Sequence, residues 1–485
     1  MSTIAMPAPD QDIIARKDEI VAALAAVLPA DAVIFDPEET RAYECDALTA
    51  YRCPPLAVVL PRSTAEVAAA MGVCHRMGVK VVPRGAGTSL AGGALPTADS
   101  VIIGTMRLRE VLEIDTANRF IRVQSGVTNL SVSAELEPEG FFYAPDPSSQ
   151  LACTIAGNIG MNSGGAHCLK YGVTTNNLLG VTVVLMDGAV VELGGPMGEA
   201  PGLDLLGVVC GAEGQLGVVT EAVLRILPKP AGARPVLIGF DSSETAGACV
   251  AAIIRAGILP VAIEFMDRPC ITATENFAAA GYPDCEALLI VEVEGTPPEI
   301  DEQLALIRAL AHGFSPVEFR ESRSEEESRR IWLGRKSAFG AMGQMGDYMC
   351  LDGTIPVSAL PQVLGRIAEM SDEAGLLVAN VFHAGDGNMH PLILFDANRP
   401  GDLERVEALG ADILRLCVEV GGCLTGEHGV GVEKRDLMGA QFSDADMEAQ
   451  MRVKDVFDPH WLLNAAKVFP LQVSASRREA RRNAA

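Results

Sequence analysis

The sequence predicts an α+β protein of more than one domain, and three observations carry that prediction. Residues 54–84 read as a strand, a helix and a second strand, and Gly-rich turns with short β-branched strands follow to about Pro228. From Arg234 the texture changes, and strand, helix, strand, strand, helix, strand follow to Arg320, a βαββαβ ferredoxin-like plan. The chain has 485 residues, 49% of them hydrophobic, enough for two to four domains that each bury a core.

The elements follow in order. Residues 1–52 form an N-terminal helical segment, with an amphipathic helix at 13–29 and an acidic stretch to Thr40. Leu56 to Leu60 is a short apolar strand. Ser63-Thr64-Ala65-Glu66 then has the form of a helix start, with Ser63 as N-cap and Glu66 at N3. Val79 to Val82 is the next strand. Between Phe142 and Gly217 the chain is rich in Gly, Ser, Thr and Asn, which suits backbone laid against a ligand. Strands are expected at Pro235–Phe240, Val261–Phe265, Ala287–Val293 and Val317–Arg320, with helices at Ser242–Ala256 and Pro298–Ala311. A charged helix from Glu325 to about Phe339, a hairpin, and helices at Leu403–Val420 and Asp444–Phe457 complete the plan. The expected domains are 53–229 and 230–470, with 471–485 a polar, frayed tail.

Composition excludes several classes. The net charge is −25, from 38 basic and 63 acidic residues, so phosphate surfaces repel the chain and nucleic acid is not an expected partner. Any anionic ligand has to be held by local groups. Twelve cysteines without a C-x-x-C pair signal neither a zinc ribbon nor an iron–sulfur cluster, and fit reduced buried thiols. The start, Met1 to Asp12, lacks the basic and apolar regions of a secretory signal, and no apolar run approaches the roughly 20 residues that span a bilayer. A cytoplasmic protein without direct membrane insertion is the expectation.

Three Gly-rich segments stand out. Pro83-Arg84-Gly85-Ala86-Gly87-Thr88-Ser89-Leu90 follows a strand, but Leu90 occupies the third glycine position of a dinucleotide fingerprint and no Gly-Lys-Ser/Thr follows. Its backbone N–H groups can still cradle a phosphate. Pro145-Asp146-Pro147-Ser148-Ser149-Gln150 leads to Thr154-Ile155-Ala156-Gly157-Asn158-Ile159-Gly160-Met161-Asn162-Ser163-Gly164-Gly165. The third segment is Gly211-Ala212-Glu213-Gly214-Gln215-Leu216-Gly217-Val218. Together they resemble the FAD-binding domain of the vanillyl-alcohol oxidase / p-cresol methylhydroxylase superfamily over residues 53–229. The resemblance implies a two-part FAD-binding domain, with the pyrophosphate on Arg84, Gly85, Ala86, Gly87, Thr88 and Ser89. It places the flavin near Pro145, Asp146, Ser149, Thr154, Gly157, Asn158, Gly160, Ser163 and Gly164, and near Glu213, Gly214, Gly217 and Val218. Some members attach flavin to a histidine in the first loop. Thr88 and Ser89 stand there, which implies non-covalent FAD.

Three of the seven histidines fall in two short motifs. His383-Ala384-Gly385-Asp386-Gly387-Asn388-Met389-His390 lies between apolar strands, and its Asp-Gly is a hairpin signal that sets the two histidines on either side of a turn. Gly426-Glu427-His428-Gly429 follows downstream. Two imidazoles and a carboxylate, His383, His390 and Glu427, make a divalent-metal set with open positions; zinc suits it, with iron or manganese as alternatives. Hydrogen-bonded structural histidines are the plain alternative. Residues 230–470 also resemble the FAD-linked oxidase C-terminal domain of D-2-hydroxyacid dehydrogenases and bacterial glycolate oxidases. That resemblance implies His383, His390 and Glu427 as metal ligands, His428 as base, and Arg335 as the clamp on the substrate carboxylate. It implies substrate contacts at Cys350 and Asn388, and brings Asn464 and Lys467 to the flavin. Where this family often has Pro-Gly, the chain has Ala465-Ala466.

The resulting expectation is oxidation of a small 2-hydroxy acid, glycolate or D-lactate, with hydride to flavin N5, metal assistance and His428 taking the hydroxyl proton. The resemblance implies flavoprotein and iron–sulfur partner subunits that pass electrons to quinone at the inner membrane face. A D-lactate dehydrogenase, a silent flavin-binding assembly subunit and a zinc hydrolase are the rival readings. The silent subunit predicts a broken His383, His390, Glu427, His428 set, and the hydrolase leaves the FAD segments without a purpose.

Overall fold

The computed structural model describes residues 4–197 and 202–484, and the chain divides into two compact units. Residues 1–3, the first of the start read as lacking a secretory signal, and 485, the end of the expected tail, lie outside the described residues.

One unit comprises Ile4–Gly164, Val173–Pro228 and Glu427–Ala485. Its first sheet has the strand order Val33–Ile34, Ala57–Val59, Ser100–Gly104, Lys80–Arg84, the last three parallel. The helix Thr64–Met77 covers it, capped as expected by Ser63 Oγ, which accepts from Glu66 N at 3.2 Å. Glu66 turns back one residue further than a capping box requires, accepting from Arg62 N at 2.8 Å. The second sheet is antiparallel, in the order Val111–Asp115, Phe120–Gln124, Val218–Arg225, Leu178–Val184, Val190–Gly194. The helices Asn129–Leu136 and Ile155–Met161 pack their apolar sides into its core.

Two expected elements differ in the structure, the first helix and the tail. The helix expected at 13–29 is two helices, Gln11–Ala15 and Lys17–Ala25, broken at Arg16 where the backbone leaves helical angles. Residues 427–484 group by contact with Ile4–Gly164 and Val173–Pro228. A long-range pairing draws them there: Val81 N donates to Leu462 O at 2.9 Å and Asn464 N to Val81 O at 2.7 Å. The tail is a helix, Leu471–Ala484, and not a frayed end. Arg477 anchors it with Nη1 at 2.8 Å from Glu448 and Nε at 3.1 Å from Asp455. Just before it, Ala466 sits at φ +68°, a left-handed position that costs a side-chain-bearing residue roughly 1 kcal/mol.

The other unit joins the strap Gly165–Gly172 to Lys229–Gly426. Its sheet begins in the order Glu318–Glu321, Ala233–Phe240, Ala287–Glu294, Ala262–Asp267, the 4-1-3-2 order of the expected ferredoxin-like plan. An additional helix, Arg268–Ala278, interrupts the plan. The sheet then continues through Val378–His383, Asn388–Met389 and Gly353–Thr354, with Pro391–Phe395 and Asp347–Cys350 attached. Four helices, Ser243–Arg255, Pro297–His312, Leu360–Ala374 and Asp402–Glu419, bury their apolar stripes with Val236, Ile238, Ile263, Phe265, Leu289 and Val291 in one core. Side chains alternate along a strand, so Glu264, Glu292 and Glu294 fall on the opposite face. That face carries the candidate site.

All twelve cysteines are free. Among the described residues, no helix is long and apolar enough to cross a membrane.

Candidate active site

The unit built on residues 229–426 contributes the histidine pair. The expected hairpin is present: His383 pairs with Asn388 across a turn formed by Ala384 to Gly387. Gly387 is at φ +77°, and a Cβ there would lie 2.1 Å from Ile355 O, so the turn requires glycine. Register places His383 and Asn388 on one face, and His390, two residues on, returns to it. The two rings meet edge to face with centroids 5.3 Å apart, and ring nitrogens approach within 4.8 Å.

Each imidazole is held through Nδ1. His383 Nδ1 lies 2.7 Å from Glu264 Oε1, and His390 Nδ1 lies 3.3 Å from Leu351 O and 3.7 Å from Asp352 Oδ1. An acceptor on Nδ1 fixes the tautomer that offers Nε2 to a metal, so both residues fit a divalent ion such as zinc. Cys350 is buried, and its Sγ lies within 4.8 Å of a His390 ring nitrogen, beside the pair and not away from it. Asn388 is buried with them, and its Oδ1 has no hydrogen-bond partner.

Arg335, in the helix Glu325–Met345, is 4% exposed and does not stand alone. Its Nε donates to Glu264 Oε2 at 2.7 Å, with Nη2 at 2.7 Å from the same oxygen but too poorly aligned for a second hydrogen bond. One edge of the guanidinium is therefore committed to protein, which narrows the clamp the sequence implied to the remaining N–H groups. Burial pushes the Glu264 carboxyl up, but the charges and hydrogen bonds of His383 and Arg335 outweigh it and hold the pKa below its ordinary value.

Sequence reasoning did not single out Glu264. The signal was present: it is the one charge within the apolar strand Val261-Ala262-Ile263-Glu264-Phe265-Met266. Asp352 was also missed as a site residue. It is fully buried, and its Oδ2 accepts from Thr425 Oγ1 at 2.5 Å and Gly426 N at 2.9 Å, fixing the loop that runs on to Glu427. On the same sheet face, Glu292 binds Trp332 Nε1 at 2.8 Å and lies 3.2 Å from His167 Nε2. Glu294 holds Lys170 at 2.8 Å and Tyr171, latching the strap to the sheet.

The unit containing the Gly-rich segments brings all three together. A Cβ on Gly85 would lie 2.5 Å from Thr154 Oγ1, and one on Gly214 would lie 3.1 Å from Pro83. By contrast a Cβ on Gly160, in the helix Ile155–Met161, would meet nothing within 4 Å beyond its own helix, so that helix face is open to close approach. Several buried polar atoms have no hydrogen-bond partner: Arg84 Nε, Thr154 Oγ1, Asn464 Oδ1 and Lys467 Nζ. Buried polar groups are rarely left so, and these four, with an open Gly-rich helix face, fit a polar cofactor such as FAD. Burial pushes the Lys467 ammonium down to about 7, with Arg435 adding to the effect against Asp46 and Glu213.

Other residues that the resemblance gave to the cofactor are engaged with protein. Glu213, at φ +50°, accepts from Val430 N at 2.7 Å and Gly431 N at 2.8 Å. Asn158 accepts from Asn129 Nδ2 at 3.1 Å, and Val218 begins a core strand. Glu427 Oε2 accepts from Gly164 N at 2.9 Å, and His428 beside it is half-buried. Asn464 Nδ2 donates to Gly93 O at 3.0 Å and Glu213 O at 2.6 Å.

Two family matches cover most of the chain. Residues 55–194 match the FAD binding domain family, and residues 229–468 match the family of FAD linked oxidases, C-terminal domain. The glycolate oxidase subunit GlcD of Escherichia coli (strain K12) is 48% identical over 464 residues, covering 95% of this chain and 92% of that protein. A probable mitochondrial D-lactate dehydrogenase of Danio rerio is 29% identical over 87% of this chain and 86% of its own length. Among solved structures, p-cresol methylhydroxylase with substrate bound shares the fold, with a TM-score of 0.80 at 16% identity over 96% of this chain and 98% of that one. The chain therefore belongs to the GlcD family of FAD-linked hydroxyacid oxidoreductases.

Proposed function

We propose that this protein oxidises a small 2-hydroxy acid, glycolate first, to its 2-oxo acid, using non-covalent FAD and one divalent metal. One observation carries the reading: an imidazole fixed for metal binding and a guanidinium suited to a carboxylate are held by the two oxygens of Glu264. A 2-hydroxy acid presents the matching pair, a hydroxyl and a carboxylate on neighbouring carbons. The absence of histidine from the first Gly-rich loop supports non-covalent attachment. Likeness to a protein named as a glycolate oxidase subunit supports electron delivery to partner subunits, which the family resemblance would make a flavoprotein and an iron–sulfur protein. Those partners would bring a cytoplasmic chain to the inner membrane face. The D-lactate relative keeps D-lactate as the second candidate substrate.

Each residue then has a task. When bound, FAD supplies the hydride acceptor and the metal supplies a positive charge at the substrate hydroxyl. His383, His390 and Glu427 would hold the metal. The N–H groups of Arg335 not used by Glu264 take the substrate carboxylate, a charge-assisted contact in a buried setting. Asn388 Oδ1 is available to a substrate hydroxyl. His428 accepts the hydroxyl proton at an imidazole nitrogen as the substrate is oxidised.

The roles separate by mutation. His383→Ala should lose metal and flavin reduction together. His428→Ala should retain metal, measured by elemental analysis, and slow stopped-flow flavin reduction by roughly two to four orders of magnitude. Equal metal loss in the two variants would contradict the assignment.

Lys467 makes a second prediction. Its folded pKa, about 7, lies below the ordinary lysine value of 10.5, so the unfolded chain binds more protons between those pH values and stability must rise with pH there. The apoprotein should show that rise, approaching about 1.4 kcal/mol per pH unit from this group. Lys467→Met should abolish the rise and stabilise the apoprotein at pH 7 while weakening FAD binding. An unchanged pH slope or unchanged FAD affinity would count against a flavin-facing lysine.

Cys350 bears on substrate size. In the D-2-hydroxyglutarate branch of the family a lysine stands at the position of Cys350, two residues before the Asp of the Asp-x-x-x-Pro element, here Asp352. A thiol cannot pair with a second carboxylate, whose burial would be costly. Cys350→Lys should shift relative kcat/KM towards 2-hydroxyglutarate and away from glycolate by about tenfold or more. A wild-type enzyme already faster on 2-hydroxyglutarate would overturn this reading.

A further inference from the structure

We propose that Glu264 is the positioning residue of this site, tying the metal ligand His383 and the substrate clamp Arg335 into one rigid unit that measures the separation of hydroxyl and carboxylate. The inference rests on the metal and clamp roles given to those two residues above. Glu264 is 1% exposed and sits in the middle of a sheet strand, directly across from His383 in the adjoining strand. Its two oxygens are divided between the partners: Oε1 lies 2.7 Å from His383 Nδ1, and Oε2 accepts from Arg335 Nε at 2.7 Å. Neither partner can turn without breaking a buried, charge-assisted hydrogen bond.

Three consequences follow from that division. A carboxylate behind the imidazole fixes the proton on Nδ1 and strengthens the ligand, as outer-shell carboxylates do in metal sites. The same carboxylate occupies the Nε edge of the guanidinium, so the substrate is left the remaining N–H groups at a set distance from the imidazole. An amide cannot replace the carboxylate, because its NH2 would face either the imidazole N–H or the guanidinium, donor against donor.

The test uses the FAD-loaded enzyme and compares Glu264→Gln, Glu264→Asp and His383→Ala with wild type. Zinc affinity is read by competition with a chromophoric chelator, and KM for glycolate is then measured at saturating zinc. Bound flavin and thermal melting identify folded protein, and Glu264→Asp decides the matter if Glu264→Gln does not fold. The expected result is a 10–100-fold weaker zinc affinity for Glu264→Gln, a smaller loss for Glu264→Asp, and KM raised about tenfold or more even with zinc saturating. Zinc affinity within threefold of wild type in the folded Glu264 variant would overturn the proposal. So would a KM restored to wild type by zinc alone, since Glu264 would then serve the histidine and not the clamp. Wild-type zinc affinity in His383→Ala would instead refute the underlying metal assignment, a separate failure.

Discussion

A carboxylate in a protein interior must find partners, and at Glu264 that requirement organises the candidate site. Leaving such a charge unpaired would cost several kcal/mol, far more than a surface ion pair contributes. His383 and Arg335 answer it from a neighbouring strand and from the helix Glu325–Met345. The sheet register that puts Glu264 across from His383 also turns Ile263 and Phe265 into the helix-covered core. Core packing on one face and site chemistry on the other thus depend on the same strand.

The acidic excess of the chain finds part of its use in loop control. Glycine gives the loops freedom to approach a ligand, and buried acids remove that freedom again. Asp352 holds Thr425 and Gly426, Glu213 holds Val430 and Gly431, and Glu427 holds Gly164. Backbone N–H groups donating to carboxylates form stronger bonds than neutral pairs, which suits loops that must stay in place. Buried positive charge occurs in both units, as Arg335 in one and as Lys467, with Arg84, Lys434, Arg435 and Lys454 among others, in the other. Lys467, buried without a hydrogen-bond partner, is a less stable placement than Arg335.

Local features were legible in the sequence and long-range ones were not. The Ser63 cap, the Asp-Gly hairpin between His383 and His390, and the ferredoxin-like strand order each leave a short-range pattern, and each is present. The pairing of Leu463 with Val81 leaves none, so the packing of this segment beside the first sheet was not legible. The tail helix was missed for a related reason, since Arg477 finds its acidic partners only in the folded chain. At the site, motifs revealed the residues at turns but not those that steady them from within strands. Glu264 was the exception in waiting, a charge in an apolar run whose position could have been questioned on burial grounds alone.

In the proposed reaction, oxidation needs both the flavin and a metal held at this histidine pair. That requirement is tested most directly by anaerobic addition of glycolate to the purified protein, following loss of flavin absorbance before metal removal, after treatment with a chelator, and after zinc is restored. The expected result is bleaching with one equivalent of oxidised acid formed per flavin, slowed by about two orders of magnitude or more without metal and recovered with zinc, in keeping with several kcal/mol of charge stabilisation. Bleaching at the same rate in metal-free protein would contradict it.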